Sequence, residues 1–437
     1  MESIWEKTVK GRAFPALEGK ATTDVLIIGG GLAGVLCAYM LQKAGVDCML
    51  LEAKRIGSGV SRGTTAKITI AHGLLYDSLI RRFGEDKARL YLDAQSRAIQ
   101  QYRRLAVKMD FDYEEQDAFV YTLADRERVE REAAALLRLL PQNAPYAVSL
   151  SKAEGLPFAV AGALRVTGQA QCHPLKLLYG LAEGLPVYEN TKAVELAPHK
   201  VKTNRGEVSY RRLIIATHFP LLNKHGGYFL KLYQHRSYVL ALEGAESVGG
   251  MYVDEAKTGL SFRDGGGLLL LGGGGHRTGK QGGSYGELEA FAARYYGGAK
   301  IVGKWSAQDC MTLDGMPYIG QYAKGTPDLF VATGFNKWGM TNAMAAAEIL
   351  TDLVLGKPSP YSALFSPSRS ILRPQLAVNA LESALGLLTP KAPRCPHLGC
   401  ALHYNPAEHS WDCPCHGSRF AENGALLDNP ATDDLKR

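Results

Sequence analysis

The chain has 437 residues, is 46% hydrophobic and 21% charged, and carries a formal net charge of +7. That apolar content excludes a disordered chain, and glycines that cluster without a period exclude a collagen-like one. No apolar run approaches the ~18 residues of a membrane helix, the first residues lack a signal-peptide core, and no tract of five like charges occurs. The expectation is a cytoplasmic protein with no membrane span and no nucleic-acid partner.

In chain order, residues 24–29 predict a short buried strand, 32–44 an apolar helix and 46–52 a second buried strand. Such a β-α-β unit implies a parallel sheet. Gly29, Gly31 and Gly34 fit G-x-G-x-x-G at its first turn. The first glycine permits the tight turn, the second lets backbone N–H groups approach a pyrophosphate, and the third lets helix and strand touch. Glu52 ends the second strand, where a carboxylate accepts from a ribose diol. This pattern marks a dinucleotide site without separating FAD from NAD.

Helices are expected over 74–83, 86–108 and 125–140. The middle of the chain is strand-rich, with candidates at 213–217, 238–242, 267–271 and 329–334, and a helix over 341–355 follows. The glycine runs at 265–267 and 272–275 have no helix after them and read as turns. Residues 356–394 are rich in proline and serine, with one helical stretch near 376–387, and read as a linker.

Four of the eight cysteines fall within 395–415. Cys395 and His397 form C-x-H, and Cys413 and His416 form C-x-x-H after a gap of 15 residues. Two cysteines and two histidines suit an iron–sulfur cluster or tetrahedral zinc.

Two resemblances narrow these choices. Residues 63–73, 214–220, 305–309, 314–320 and 333–341 resemble the FAD-dependent amine and amino-acid oxidases of the D-amino-acid oxidase/glycine oxidase superfamily. The likeness implies FAD, an α/β fold with a Rossmann-like (glutathione-reductase-type) FAD domain, and an interleaved α+β substrate domain. FAD parts would lie near 20–85, 155–225 and 305–360, and substrate parts near 86–154 and 226–304, within an oxidoreductase unit over 1–365. It also implies flavin contacts from Thr64, Thr65, Ala66, Thr217, Gly334, Gly339, Met340 and Thr341. Substrate-pocket candidates are Lys67, His72, Arg263, His276 and Trp338, and Cys310 reads as an inert buried thiol.

The C-terminal motif, with Ser418 after it, closely resembles the Rieske [2Fe–2S] signature. That likeness assigns Cys395 and Cys413 to one iron, His397 and His416 to the other, and a disulfide to Cys400 and Cys415. After a linker at 366–394, residues 395–437 would form a small β-rich domain, shortened before its first cluster loop.

Together the resemblances imply oxidation of a C–N bond in an amine or amino acid by hydride transfer to FAD. Electrons then pass singly to the cluster and on to an external carrier. A reductase fed through the cluster, and a redox sensor holding FAD as a structural ligand, are the alternatives.

Overall fold

The computed structural model describes residues 2–222, 225–256, 259–390 and 392–436. The expected β-α-β start is present as Gly19–Ile28 (β1), Leu32–Lys43 (α1) and Cys48–Leu51 (β2). Leu26, Ile27, Ile28 and all of β2 are buried, because a parallel sheet covered on both faces needs unbroken apolar runs. The chain continues through Lys67–Ile68 (β3), Glu85–Ala106 (α2), Glu114–Thr122 (β4), Gly162–Gln171 (β5) and Val187–Tyr188 (β6). Next come Gly206–Ile215 (β7), Leu232–Glu243 (β8), Met251–Asp254 (β9), Ser261–Gly265 (β10), Leu268–Arg277 (β11) and Lys300–Thr312 (β12). Tyr318–Gln321 (β13), Leu329–Thr333 (β14), Gly339–Val354 (α3) and Pro374–Leu388 (α4) follow. Four strands of three residues end the chain: His403–Asn405 (β15), Ser410–Asp412 (β16), Arg419–Ala421 (β17) and Leu426–Asp428 (β18).

These strands build three sheets among the described residues. The first runs β13-β14-β7-β1-β2-β6, parallel except where β13 meets β14. Helices α1 and α3 pack together against it. The second runs β12-β8-β11-β10-β9-β4-β5-β3, and is antiparallel except where β9 pairs with β4. The third is the small antiparallel sheet β15-β16-β17-β18.

Gly266 and Gly267, with φ of +61° and +76°, turn β10 into β11 as expected. The run 272–275 is different: it lies inside β11 and is no turn. It lacks side chains because neighbours press on it. A Cβ on Gly272 would sit 2.6 Å from Ser261 Oγ, and one on Gly283 would sit 2.4 Å from Gly274 Cα. The expected linker contains α4, and among the described residues of 366–394 this helix takes the place of further strands.

Candidate functional site

The glycine turn has the shape a dinucleotide needs. Gly29 adopts φ +115°, and a Cβ there would lie 2.5 Å from Ala216 O, just past the end of the neighbouring strand β7. A Cβ on Gly34 would lie 1.9 Å from Gly29 O, so helix and turn touch only because that atom is missing. At Gly31 the nearest atom to an added Cβ is Ser61 Oγ at 3.5 Å, which leaves this backbone open on the side a phosphate approaches. Gly31 is also the N-cap of α1; Ser61 Oγ accepts from Leu32 N at 3.0 Å, at a helix N-terminus of the kind that attracts an anion. Glu52 Oε2 accepts from Gly30 N at 2.7 Å and Oε1 from Lys54 N at 2.8 Å, which aims the carboxylate across the turn. Burial raises its pKa.

Residues 64–72 are braced from several sides. Thr64 Oγ1 accepts from Ala66 N at 3.0 Å and Thr64 O accepts from Trp5 Nε1 at 2.8 Å, while Ala66 takes a left-handed φ of 52°. Lys67 Nζ donates to Thr65 Oγ1 at 3.1 Å. Burial and the nearby Arg263 push the Lys67 pKa down to about 7.

Opposite, Asn336 at φ 54° ties the loop before α3. Its Nδ2 donates to Gly315 O and Gly334 O, both at 3.0 Å, and its Oδ1 accepts from Thr312 N at 3.1 Å. A Cβ on Gly334 would lie 2.3 Å from Thr312 Cγ2, so this loop too needs its glycine. A Cβ on Gly339, the first residue of α3, would meet nothing within 4 Å, and no side chain caps that helix. The two loops meet through His72. Its Nε2 lies 3.1 Å from Thr341 Oγ1, its Nδ1 2.8 Å from Tyr91 OH, and its ring stacks on Trp338 at 4.6 Å. Burial drives the His72 pKa down to about 3, which keeps the ring neutral. Met340 O accepts from Tyr102 OH at 2.8 Å, fixing the first turn of α3.

Two pocket candidates are corrected. Arg263 is 3% exposed and serves as an internal tie, not a carboxylate clamp. It donates to Thr65 O at 2.7 Å, to Asp264 O at 3.0 Å, and to Ala66 O and Cys172 O at 3.3 Å. His276 stacks on Tyr238 at 5.7 Å, and the Tyr238 hydroxyl lies 3.5 Å from Asn405 of the C-terminal sheet. It therefore belongs to the seam between regions. Cys310 is buried, with its thiol 3.7 Å from Thr333 Oγ1 and its pKa pushed up to about 12 by burial, as an inert thiol requires.

Strand β12 faces two ways. Trp305 Nε1 donates to Gly63 O at 3.0 Å, and Ala307 lies against Gly63, so these side chains face the 63–72 segment. Ser306 bonds to Glu408, and Gln308 Nε2 donates to Gly417 O at 2.9 Å, so these face the C-terminal domain. Alternation places Asp309 with Trp305 and Ala307. Burial raises the Asp309 pKa to about 6, against the pull of Lys337 and Arg236. Lys337, exposed on the loop before α3, is lowered by desolvation and supported by Asp309. Each charge acts on the other electrostatically where β12 and that loop converge.

In the C-terminal domain, Cys395, Cys400, Cys413, Cys415 and His416 are buried and His397 is half-buried. The His397 and His416 ring centroids are 4.9 Å apart, and His416 Nδ1 has no hydrogen-bond partner among the described residues. Hydrogen bonds from Cys395, Cys400 and Cys415 hold the Cys413 thiol well below its usual range. Two imidazoles and two thiols at the tips of two loops fit a [2Fe–2S] centre. The Cys400, Cys413 and Cys415 sulfurs lie within 4.8 Å of one another, which brings the two cysteines of the expected disulfide together.

The cluster loops rest on the rest of the chain. Arg277 donates to Pro414 O at 3.0 Å and to Cys415 O at 3.1 Å. Phe219 lies 6.0 Å from the His397 ring and 6.5 Å from the His416 ring. Thr217 O accepts from Asn429 Nδ2 at 2.6 Å, while Thr217 N borders Gly29, so this residue stands between the glycine turn and the C-terminal domain. Arg236 bonds the buried Glu408, which Arg419 reaches at 3.1 Å.

Residues 24–353 match the family described as FAD dependent oxidoreductase, and residues 386–437 match the Rieske [2Fe-2S] domain. The chain belongs to the FAD-dependent oxidoreductase family. Over its whole length it is 34% identical to YhfW of Bacillus subtilis, a protein named for a Rieske 2Fe-2S centre, of which it covers 97%. It is 29% identical over 221 residues, 46% of this chain and 50% of the relative, to the gamma-glutamylputrescine oxidoreductase of Escherichia coli. Among solved structures, glycine oxidase from Geobacillus kaustophilus superposes with a TM-score of 0.66 at 21% identity, covering 80% of this chain and all of that one. The family takes FAD and the Rieske domain a [2Fe–2S] cluster, and the glycine cradle and the Cys/His loops fit these groups. No helix among the described residues is long and apolar enough to cross a membrane.

Sequence reasoning missed Asp309, Lys337, Gln308 and the Arg236–Glu408 pair of this oxidoreductase. The 305–309 segment had been singled out, and its strand alternation carried the signal for Gln308 and Asp309. Arg236 and Glu408 lie 172 residues apart, and no local pattern joins them.

Proposed function

We propose that the oxidoreductase removes a hydride from the carbon of a C–N bond in a small amine or amino acid, and that electrons leave singly through the C-terminal cluster to an external carrier. The observation that carries this reading is the direct bond from Gln308 on β12 to Gly417, next to the cluster ligand His416. A single strand therefore separates the 63–72 segment from the cluster loops.

When bound, FAD supplies the hydride acceptor and the cluster a one-electron relay. The chain's own residues bind and orient. Asp309 accepts from a substrate ammonium, and Lys337 donates to a carboxylate or other electron-rich group. At neutral pH Asp309 is ionised, because its pKa of about 6 lies below that pH. The neutral His72 ring and Trp338 form a stacked wall that excludes water between the two loops. Lys67 and Thr65 present donors from the braced 64–67 turn. The ammonium loses a proton to solvent before the hydride leaves the neutral amine, and the transfer itself then depends chiefly on positioning.

Anaerobic titration with amines and amino acids tests the reading. Flavin bleaching followed by a reduced-cluster EPR signal is expected. Stoichiometric peroxide in air, with a cluster that substrate never reduces, overturns it. Flavin reduction by a ferredoxin-type donor but by no amine would establish the reverse direction of flow.

A further inference from the structure

Helix α4 turns its polar side inward. Asn379 and Gly386 are buried, and Gln375, Glu382 and Ser383 are half-buried. Three inward groups tie the helix to the rest of the chain, while Asn379 Nδ2 has no partner among the described residues. Asn379 Oδ1 accepts from Arg277 Nη1 at 2.9 Å, Glu382 pairs with Lys280 at 2.5 Å, and Gly386 O accepts from Ala401 N at 2.8 Å. The glycine at 386 is required there, since a Cβ would lie 2.6 Å from Cys415 Sγ.

The outward side is apolar. Val378, Leu381, Leu385 and Leu388 follow helical spacing and are 47%, 60%, 51% and 79% exposed. Leu387 beside them, Leu372 before the helix and Leu398 in the first cluster loop are also exposed. Ala377, Ala380 and Ala384 lie among these leucines, and no outward position of the helix holds a charge. The stripe amounts to an exposed area on the order of 700 Å², above what a monomer ordinarily leaves in water.

We propose that this face pairs with the same face of a second copy of the chain, α4 against α4 across a two-fold axis. The area is close to the ~800 Å² per partner of a stable interface. Its apolar, uncharged character matches permanent homodimers, whereas transient electron-transfer encounters are small and rely on charge. Alanines between leucines let two helices approach to about 8–10 Å. A two-fold axis sets identical patches face to face and closes the assembly at two copies. A membrane-surface helix instead carries lysine and arginine on its polar side, and the polar side of α4 has none. This pairing is independent of the direction of electron flow.

Sedimentation of the full chain with its flavin and cluster, at micromolar concentration without detergent, is expected to give twice the 47.4 kDa chain mass. The double variant Leu381→Glu/Leu385→Glu is expected to sediment as a monomer, with dimerisation weakened at least ~100-fold and with flavin and iron contents unchanged. Under mild oxidation Ala384→Cys should cross-link two copies, while Val107→Cys, a remote position 85% exposed, should not. A monomeric parent protein overturns the proposal. So does a dimer that survives the double variant without an Ala384→Cys cross-link. A monomer that co-sediments with anionic phosphatidylglycerol vesicles, and loses this in the double variant, overturns it in favour of a membrane surface.

Discussion

The oxidoreductase unit and the C-terminal domain reach their shapes by opposite means. The first packs more than sixty buried apolar residues into one cluster around α1, α2 and α3, and each large side chain contributes roughly 1.5–3 kcal/mol. The second has seven buried residues in its core, four of them Cys395, Cys400, Cys413 and Cys415. Charge pairs surround that core: Arg419 bonds Asp412 and Asp428 at 3.0 Å, and Arg236 reaches across to Glu408. Apolar packing shapes one site before any cofactor arrives. In the other, cysteines of the two loops make up most of the core.

The strongest way to break this contrast is Cys413→Ser. It should abolish bound iron and open residues 392–436 to trypsin while the flavin stays bound, as read by iron assay, limited proteolysis and absorbance. A protease-resistant C-terminal domain would contradict the contrast. Next in size is a pair of glycine variants. Gly34→Ala forces a Cβ to 1.9 Å from Gly29 O and should prevent soluble folding, whereas Gly31→Ala meets only Ser61 Oγ at 3.5 Å and should fold with weakened flavin binding. Flavin-to-protein ratio and circular dichroism separate the two outcomes.

A third variant cuts the link between regions. Arg236→Met leaves Glu408 buried with one cationic partner fewer, and losing a partner from a buried pair costs about 3–5 kcal/mol. Calorimetry should show the C-terminal domain melting earlier, with little change in the main transition. The smallest effect concerns Glu132, buried at the N-terminus of the helix Tyr76–Phe83, whose Oε1 and Oε2 accept from Tyr76 N at 2.7 Å and Asp77 N at 2.9 Å. Burial raises its pKa to about 7. Because the folded pKa is raised, its contribution is full below the usual glutamate range and is lost as pH rises through about 7. Glu132→Gln should flatten the stability profile between pH 5 and 8, at a cost of about 1–3 kcal/mol for one mismatched N–H.

The glycine turn was legible because its demand is local: Gly29 and Gly34 are five positions apart, and sterics alone dictate them. The Cys/His loops were legible for the same reason, since ligand spacing is written along the chain. Arg263 was not, because carbonyls from two distant segments, at Thr65, Ala66 and Cys172, decide its role together with that of its neighbour Asp264. The glycines at 272–275 misled because turn and tightly packed strand share one composition. The periodicity of α4 was visible, but which side faced inward depended on Arg277, Lys280 and Cys415, far from it in sequence.

Strand β12 works as a partition one residue thick. Its odd positions at 305–309 belong to one compartment and its even positions to the other, so the frame of that strand is shared. Adding a single residue before Ser306 would exchange every assignment at once, swinging Asp309 toward the cluster domain and Gln308 toward the cofactor side. The two compartments thus cannot drift apart by insertion or deletion in this wall; here they can change only by substitution, one face at a time.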